Sequence, residues 1–299
     1  MNLGKLFIIQ IEFKVAKYNT EYLKIKLTLV RRCYLGMNIE NELKEILIDK
    51  YNVEVNGIQK NLQSTIGNVY ISNDNKYVIK IYNDIEHTIT MTNLHRVLNE
   101  NNLYVPRVIH NSLNEEYTKF EDKYIVVYSF LKGHQIIWNT DKINLTDYEI
   151  NKLAKTVRKL HNLTNNEIIG LPQISFGNDM ERKSVLHFDL TRNNIFIDNE
   201  QEKIGFIDFD DAKFGASVCD VAILVANLFF SKSKGANLED MHKFIDAYYE
   251  EDLKIKEVEV PRIKEFALMW IDYVLDGNEF DASTTESFEV RKKLINRHL

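Results

Sequence analysis

Val185-Leu-His-Phe-Asp-Leu-Thr-Arg-Asn-Asn-Ile-Phe-Ile-Asp198 sets His187, Asp189 and Asn194 between two apolar stretches. Fourteen residues after Asn194, another apolar stretch leads into Asp208-Phe-Asp-Asp211. Apolar flanks of this kind predict short strands that anchor polar loops between them. The residue types suit phosphoryl transfer. That chemistry needs one carboxylate to orient an incoming hydroxyl and accept its proton, and a carboxamide with a second carboxylate to hold Mg2+ against phosphate oxygens. Oxygen ligands match that hard ion, and no cluster of His and Cys competes for it. Upstream, Lys80 stands in the middle of Tyr77-Val-Ile-Lys-Ile-Tyr82, where a charge inside an apolar strand needs a reason. One bland reason is an edge strand with its lysine in solvent.

The elements that would position these residues fall into two halves. Ile39, Leu43, Ile46, Leu47 and Tyr51 share one face of a helix that opens at Met37. Strands are predicted over 66–72 and 76–82, joined by the turn residues Asn73-Asp-Asn75 into a hairpin. A helix over 85–101 stops at Val105-Pro106, and strands follow over 107–109 and 124–128. Residues 129–133 read as a connector. Beyond it the chain turns helical. Thr146-Asp-Tyr-Glu149 is a capping box before a helix that carries Ile150, Leu153, Ala154, Val157 and Leu160 on one face. Further helices are predicted over 218–231, 238–250, 261–275 and 286–296.

Leu186-His-Phe-Asp-Leu-Thr-Arg-Asn-Asn-Ile195, followed by Gly205-Phe-Ile-Asp-Phe-Asp-Asp-Ala212 and then by Gly215 and Asp220-Val-Ala, resembles the aminoglycoside phosphotransferase and choline kinase superfamily across 58–230. The resemblance implies an α+β, protein-kinase-like two-lobe fold with a small β-rich N-lobe and a larger helical C-lobe. It implies Asp189 as catalytic base, Asn194 and Asp208 as metal ligands, and Asp220 as a structural acid. Lys80 would then pair with the α/β phosphates of ATP. The Ser64 and Thr65 hydroxyls would help cover the phosphates, and the backbone of Ser129 to Leu131 would hydrogen-bond adenine. The implied activity moves the γ-phosphate of Mg-ATP to a hydroxyl of a small molecule, aminoglycoside-, amino-alcohol- or sugar-like. The alternative is a catalytically silent relative that binds or scaffolds.

Two departures bear on this. The slots near Met91, where a kinase helix supplies an acid to the strand lysine, hold none, so either Glu86 serves or the partner is missing. Phe188 stands where many relatives carry Gly and protein kinases carry Arg. With the absence of a G-x-G-x-x-G loop, and with Asp208-Phe-Asp210 in place of Asp-Phe-Gly, this disfavours a protein kinase.

Of 299 residues, 1–36 hold seven Lys/Arg and two Glu, a net of +5, so the rest carry −11 of the formal −6. The charge break marks a basic extension over 1–36, dispensable on one reading; the resemblance implies an N-lobe over 37–131 that binds nucleotide and a C-lobe over 132–299 with the catalytic loop, metal site and acceptor site. The acidity argues against nucleic-acid binding and is compatible with a cationic acceptor held near Glu265, Asp272 and Asp276. Cys33 and Cys219 form no CxxC, and no apolar run reaches the length of a membrane span, which predicts a cytoplasmic protein without membrane contact. His187 is expected to brace its loop, His161 to pack or cap a helix, and Phe266, Trp270 and Tyr273 to fill core. Asp210 and Asp211 are either solvated or aid the metal.

Overall fold

The computed structural model describes residues 39–61, 68–136, 145–164, 168–174, 180–233, 235–277 and 280–299. The extension over 1–36, Cys33, and the phosphate-covering candidates Ser64 and Thr65 lie outside these residues.

The N-lobe is an antiparallel sheet of six strands. β1 (Ile58–Lys60), β2 (Val69–Ser72), β3 (Tyr77–Tyr82), β4 (Val108–Ile109), β5 (Thr118–Phe120) and β6 (Lys123–Ser129) run in the order β1-β2-β3-β6-β4, with β5 also on β6. α1 (Ile39–Tyr51) covers one face of the sheet, and α2 (Ile85–Glu100) follows β3. Alternation along the strands divides the faces. Ile79, Ile81, Ile125 and Val127 join Leu43, Leu47 and Tyr51 in one core, while Tyr82, Val126 and Tyr128 point the other way, into the core shared with the C-lobe. β3 is central, paired with both β2 and β6, so the edge-strand reading of Lys80 is wrong. Its side chain must leave on the inner face.

The C-lobe begins with β7 (His134–Gln135) and α3 (Asp147–Leu160), whose N-cap Thr146 forms the expected capping box with Glu149. Four short strands come next, β8 (Lys183–Leu186), β9 (Ile195–Asp198), β10 (Lys203–Phe206) and β11 (Lys213–Ala216). Helices α4 (Val218–Leu228), α5 (Leu238–Tyr248), α6 (Leu253–Glu259), α7 (Ile263–Gly277) and α8 (Ala282–His298) complete it. Every residue of α4 is buried, so it forms the centre of the lobe.

Some boundaries differ from the sequence reading. The helix predicted over 218–231 ends at Leu228, because Phe230–Ser231 (β12) turns back to pair with Gly235–Ala236 (β13). An unbroken apolar run carries no signal for that change of period. Pro261 sits in a 3-10 turn, Val260–Arg262, ahead of α7, and the last helix starts earlier than expected, on an Asp281 cap. Among the described residues, no helix is long and apolar enough to cross a membrane.

Candidate active site

Two antiparallel pairings bring the polar loops together. β9 pairs with β10, and β8 pairs with β11. The loop 187–194 leaves β8 and enters β9, while the loop 207–212 leaves β10 and enters β11. Both must therefore lie at the same end of these ribbons. The Ile207 N–H donates to the Asn194 carbonyl at 3.0 Å and ties one loop to the other.

Asp220 fixes the first loop from beneath. It lies in the first turn of α4, fully buried, where the helix N-terminus favours an anion. Its oxygens accept the backbone N–H of His187 at 2.7 Å and of Phe188 at 2.8 Å. His161 contacts the same carboxylate at 3.1 Å through Nε2 and the Tyr248 hydroxyl at 2.6 Å through Nδ1. His161 thus does more than pack or cap: it links α3 and α5 to the loop anchor. His187 braces as expected. Nε2 lies 2.8 Å from the Ile207 carbonyl, and Nδ1 faces the Asp189 N–H at 3.3 Å. A ring that donates through one nitrogen and accepts through the other is neutral, and burial holds its pKa below the usual value.

The anchored turn is strained. Phe188 has φ +65° and Asp208 has φ +63°, the left-handed region that side chains with a Cβ avoid. This explains why glycine is at home in the Phe188 position. Here the ring compensates by burying against Tyr273, with centroids 5.9 Å apart. Phe266 and Trp270 are core as expected, whereas Tyr273 is exposed.

The candidate residues converge. Asn194 donates from Nδ2 to the Asp189 carboxylate at 2.7 Å and to the Asp189 carbonyl at 3.0 Å. Burial, then the charges of Asp211 and Asp208, push the Asp189 carboxyl up to about 7. Lys80 reaches across the lobes to Asp208 at 2.7 Å and Asp210 at 2.9 Å. Burial alone would lower its pKa, but the two carboxylates outweigh it and the amine stays charged. Tyr82 donates to the other Asp210 oxygen at 3.1 Å. Asp210 therefore supplies the acid that α2 lacks, and Glu86 is exposed in the first turn of that helix. Asp211 is exposed. In the connector, the Ser129 N–H and hydroxyl are engaged by the Arg107 carbonyl at 2.8 Å and N–H at 2.9 Å. Leu131 is buried against Gly205, where an added Cβ would meet the Tyr104 carbonyl at 2.1 Å.

A metal ion fits this donor set. Because the Asn194 amide nitrogen points to Asp189, its carbonyl oxygen is left for a cation. Asp208 is part-exposed, with Oδ1 on Lys80. Among the described residues no cluster of three His, Cys, Asp or Glu forms a closed site. One carboxylate and one carboxamide are what Mg2+ uses when phosphates and water supply the other ligands.

Residues 171–251 match the model of a phosphotransferase enzyme family, APH. The match bears out the resemblance read from the motifs. No curated protein matches the chain in sequence. In structure it is similar to a spectinomycin phosphotransferase in complex with ADP and spectinomycin, at TM-score 0.61 and 16% identity, covering 86% of this chain and 96% of that one. An aminoglycoside phosphotransferase with GDP and kanamycin superposes at TM-score 0.60 and 12% identity, over 86% and 99% of the two chains. Amicoumacin kinase in complex with AMP-PNP, Ca2+ and Ami gives 0.57 and 13%, over 87% and 94%. The fold is thus the two-lobe, α+β kinase-like fold.

Proposed function

We propose that this chain transfers the γ-phosphoryl group of Mg-ATP to a hydroxyl of a small molecule. The observation that carries the reading is the convergence of four side chains from both lobes: Asp189 bonded to Asn194 at 2.7 Å, and Lys80 bonded to Asp208 at 2.7 Å. Asp189 would orient the acceptor hydroxyl and take its proton, while the bond from Asn194 fixes the carboxylate's rotamer. Lys80 would shift part of its contact from Asp208 to nucleotide phosphate, with Asp210 still holding it in place. Asn194 and Asp208 would hold Mg2+, which when bound offsets charge on the phosphate oxygens. The Leu131 backbone would face adenine, since that of Ser129 is already engaged by Arg107.

The acceptor is proposed only as a small hydroxyl compound, in line with the spectinomycin and kanamycin held by similar folds. The acidic stripe that suggested a cationic acceptor is largely in use: Glu265 pairs with Arg262 at 2.7 Å, and Asp272 with Lys292 at 2.6 Å. The silent-relative alternative draws on the same pairing of Lys80 with two carboxylates, which closes the site without nucleotide.

Thermal shift with ATP or GTP, with and without Mg2+, separates the two readings. The proposed kinase gains several degrees with Mg-nucleotide, and Asp208→Ala loses the Mg2+ dependence of that gain. No nucleotide response in the wild type would favour the silent reading. Turnover against a panel of metabolites and aminoglycosides then finds the acceptor.

A further inference from the structure

A cavity of about 690 Å3 opens between the lobes, lined by the end of α2, the connector, α3 and β10. Lys80, Asp189, Asn194 and Asp208 take no part in it. Among the described residues its lining includes Arg107, Lys132, Lys152, Lys159 and Lys203, and no Asp or Glu. On a chain of net charge −6 this is the opposite of what chance placement gives.

Elsewhere the cations divide: Lys44 and Lys264 donate to backbone carbonyls at 3.4 and 3.0 Å, whereas others pair with carboxylates. Lys243, Lys256, Arg262 and Lys292 each sit within 3 Å of a carboxylate. Among the described residues, none of the five lining cations forms an ion pair with one, although the charge of Lys132 acts on the Asp198 carboxylate. Lys159 donates to the Asn102 carbonyl at 3.0 Å, Lys152 to the Tyr148 hydroxyl at 2.8 Å, and Lys203 to the Gln201 side-chain oxygen at 2.9 Å while lying over the Tyr104 ring. Asp198, bonded to Tyr104 at 3.0 Å, has its other oxygen taken by the Glu200 and Gln201 N–H groups. Glu202 reaches the cluster only through the Tyr148 hydroxyl, at 3.3 Å.

Like charges gathered in a concave site repel one another and focus a positive potential into it. An anion that enters relieves the repulsion and gains several charge-assisted hydrogen bonds. The volume lies within the range of small-molecule sites, about 300–1,000 Å3. Buried Leu103, Val105, Leu131 and Ile204 give it an apolar floor. We propose that this cavity is a second ligand site, which shares the connector residues Ser129 and Leu131 with the candidate nucleotide cleft but none of Lys80, Asp189, Asn194 and Asp208, for a small molecule that carries at least two phosphate groups.

Inorganic tripolyphosphate, titrated calorimetrically into the full chain without Mg2+ at physiological ionic strength, tests this. The comparison is a Lys152→Gln, Lys159→Gln, Lys203→Gln variant, whose unliganded melt and circular dichroism establish that it folds. Expected is one saturable site in the wild type, with affinity at least tenfold weaker in the variant. Equal binding by both proteins would assign tripolyphosphate to the nucleotide cleft and overturn the proposal. So would the absence of saturable binding in the wild type. A short DNA duplex that binds more tightly, with the same lysine dependence, would also overturn it by making the ligand a nucleic acid. None of these outcomes depends on whether the chain is an active kinase.

Discussion

Asp189 and Phe188 are adjacent, yet they make different demands. For Asp189, replacement by Asn preserves shape and removes the proposed base. Turnover on the identified acceptor should fall by about 10²–10⁴-fold, with Mg-ATP affinity within a few-fold, because in the proposed role the side chain addresses the hydroxyl and not the nucleotide. Steady-state rates alongside nucleotide titrations check this, and near-normal turnover would remove Asp189 from the role. For Phe188, two effects compete. Glycine would relieve the φ of +65°, worth about 1 kcal/mol. It would also delete a buried ring, and losses for Phe→Ala run at about 3–5 kcal/mol. Packing outweighs backbone strain, so Phe188→Gly should lower stability by about 2 kcal/mol or more in urea unfolding. A stabilised variant would show that the loop, and not the ring, dominates.

At the scale of elements, α2 carries a pH dependence that its sequence conceals. His95 is buried on that helix between Tyr128 and Phe209, with Nδ1 2.9 Å from the Pro106 carbonyl. Burial lowers its pKa from 6.5 to about 4, only partly offset by that carbonyl. The unfolded chain therefore binds the proton first. The stability contributed by neutral His95 is present above about 6.5 and lost as pH falls toward about 4. Replacing His95 with Gln removes the titration, so the wild type's advantage over the variant should be largest near pH 7.5 and shrink steadily to pH 4. Denaturant melts at each pH measure it. A difference independent of pH would mean that His95 stays charged or becomes exposed.

For the molecule as a whole, the N-lobe core closes with α1. Leu43, Leu47 and Tyr51 of that helix pack on Ile79, Ile81, Ile125 and Val127. A chain that starts at Met37 should keep this core, fold cooperatively and bind nucleotide like the full chain. Comparing the two melts tests it. Aggregation, or loss of the cooperative transition, would show that residues 1–36 complete the lobe. The two lobes meet through Lys80, through the core that spans both, and at the parallel bridge between Tyr104 and Gly205. The basic cavity is a product of the same junction, since neither lobe alone contains all of its walls.

The contiguous parts of the site are legible in the sequence. Asp189 and Asn194 share one short loop, so their spacing fixes their encounter. Apolar flanks marked the strands that hold the loop, and the Thr146 capping box marked the start of α3, because these signals act over a few residues. The remaining contacts span long separations and arise on folding. Lys80 meets Asp208 and Asp210 across 128 and 130 residues, and no periodicity within either segment names the partner. The acid beside Lys80 is not a neighbour on α2 but Asp210, from the far lobe. His161 meets Asp220 across 59 residues and Tyr248 across 87, which turns a helix-end histidine into a support for the 187–194 loop. The five cations of the basic cavity come from four separate stretches of an acidic chain. Composition averages over them, and only folding brings like charges together.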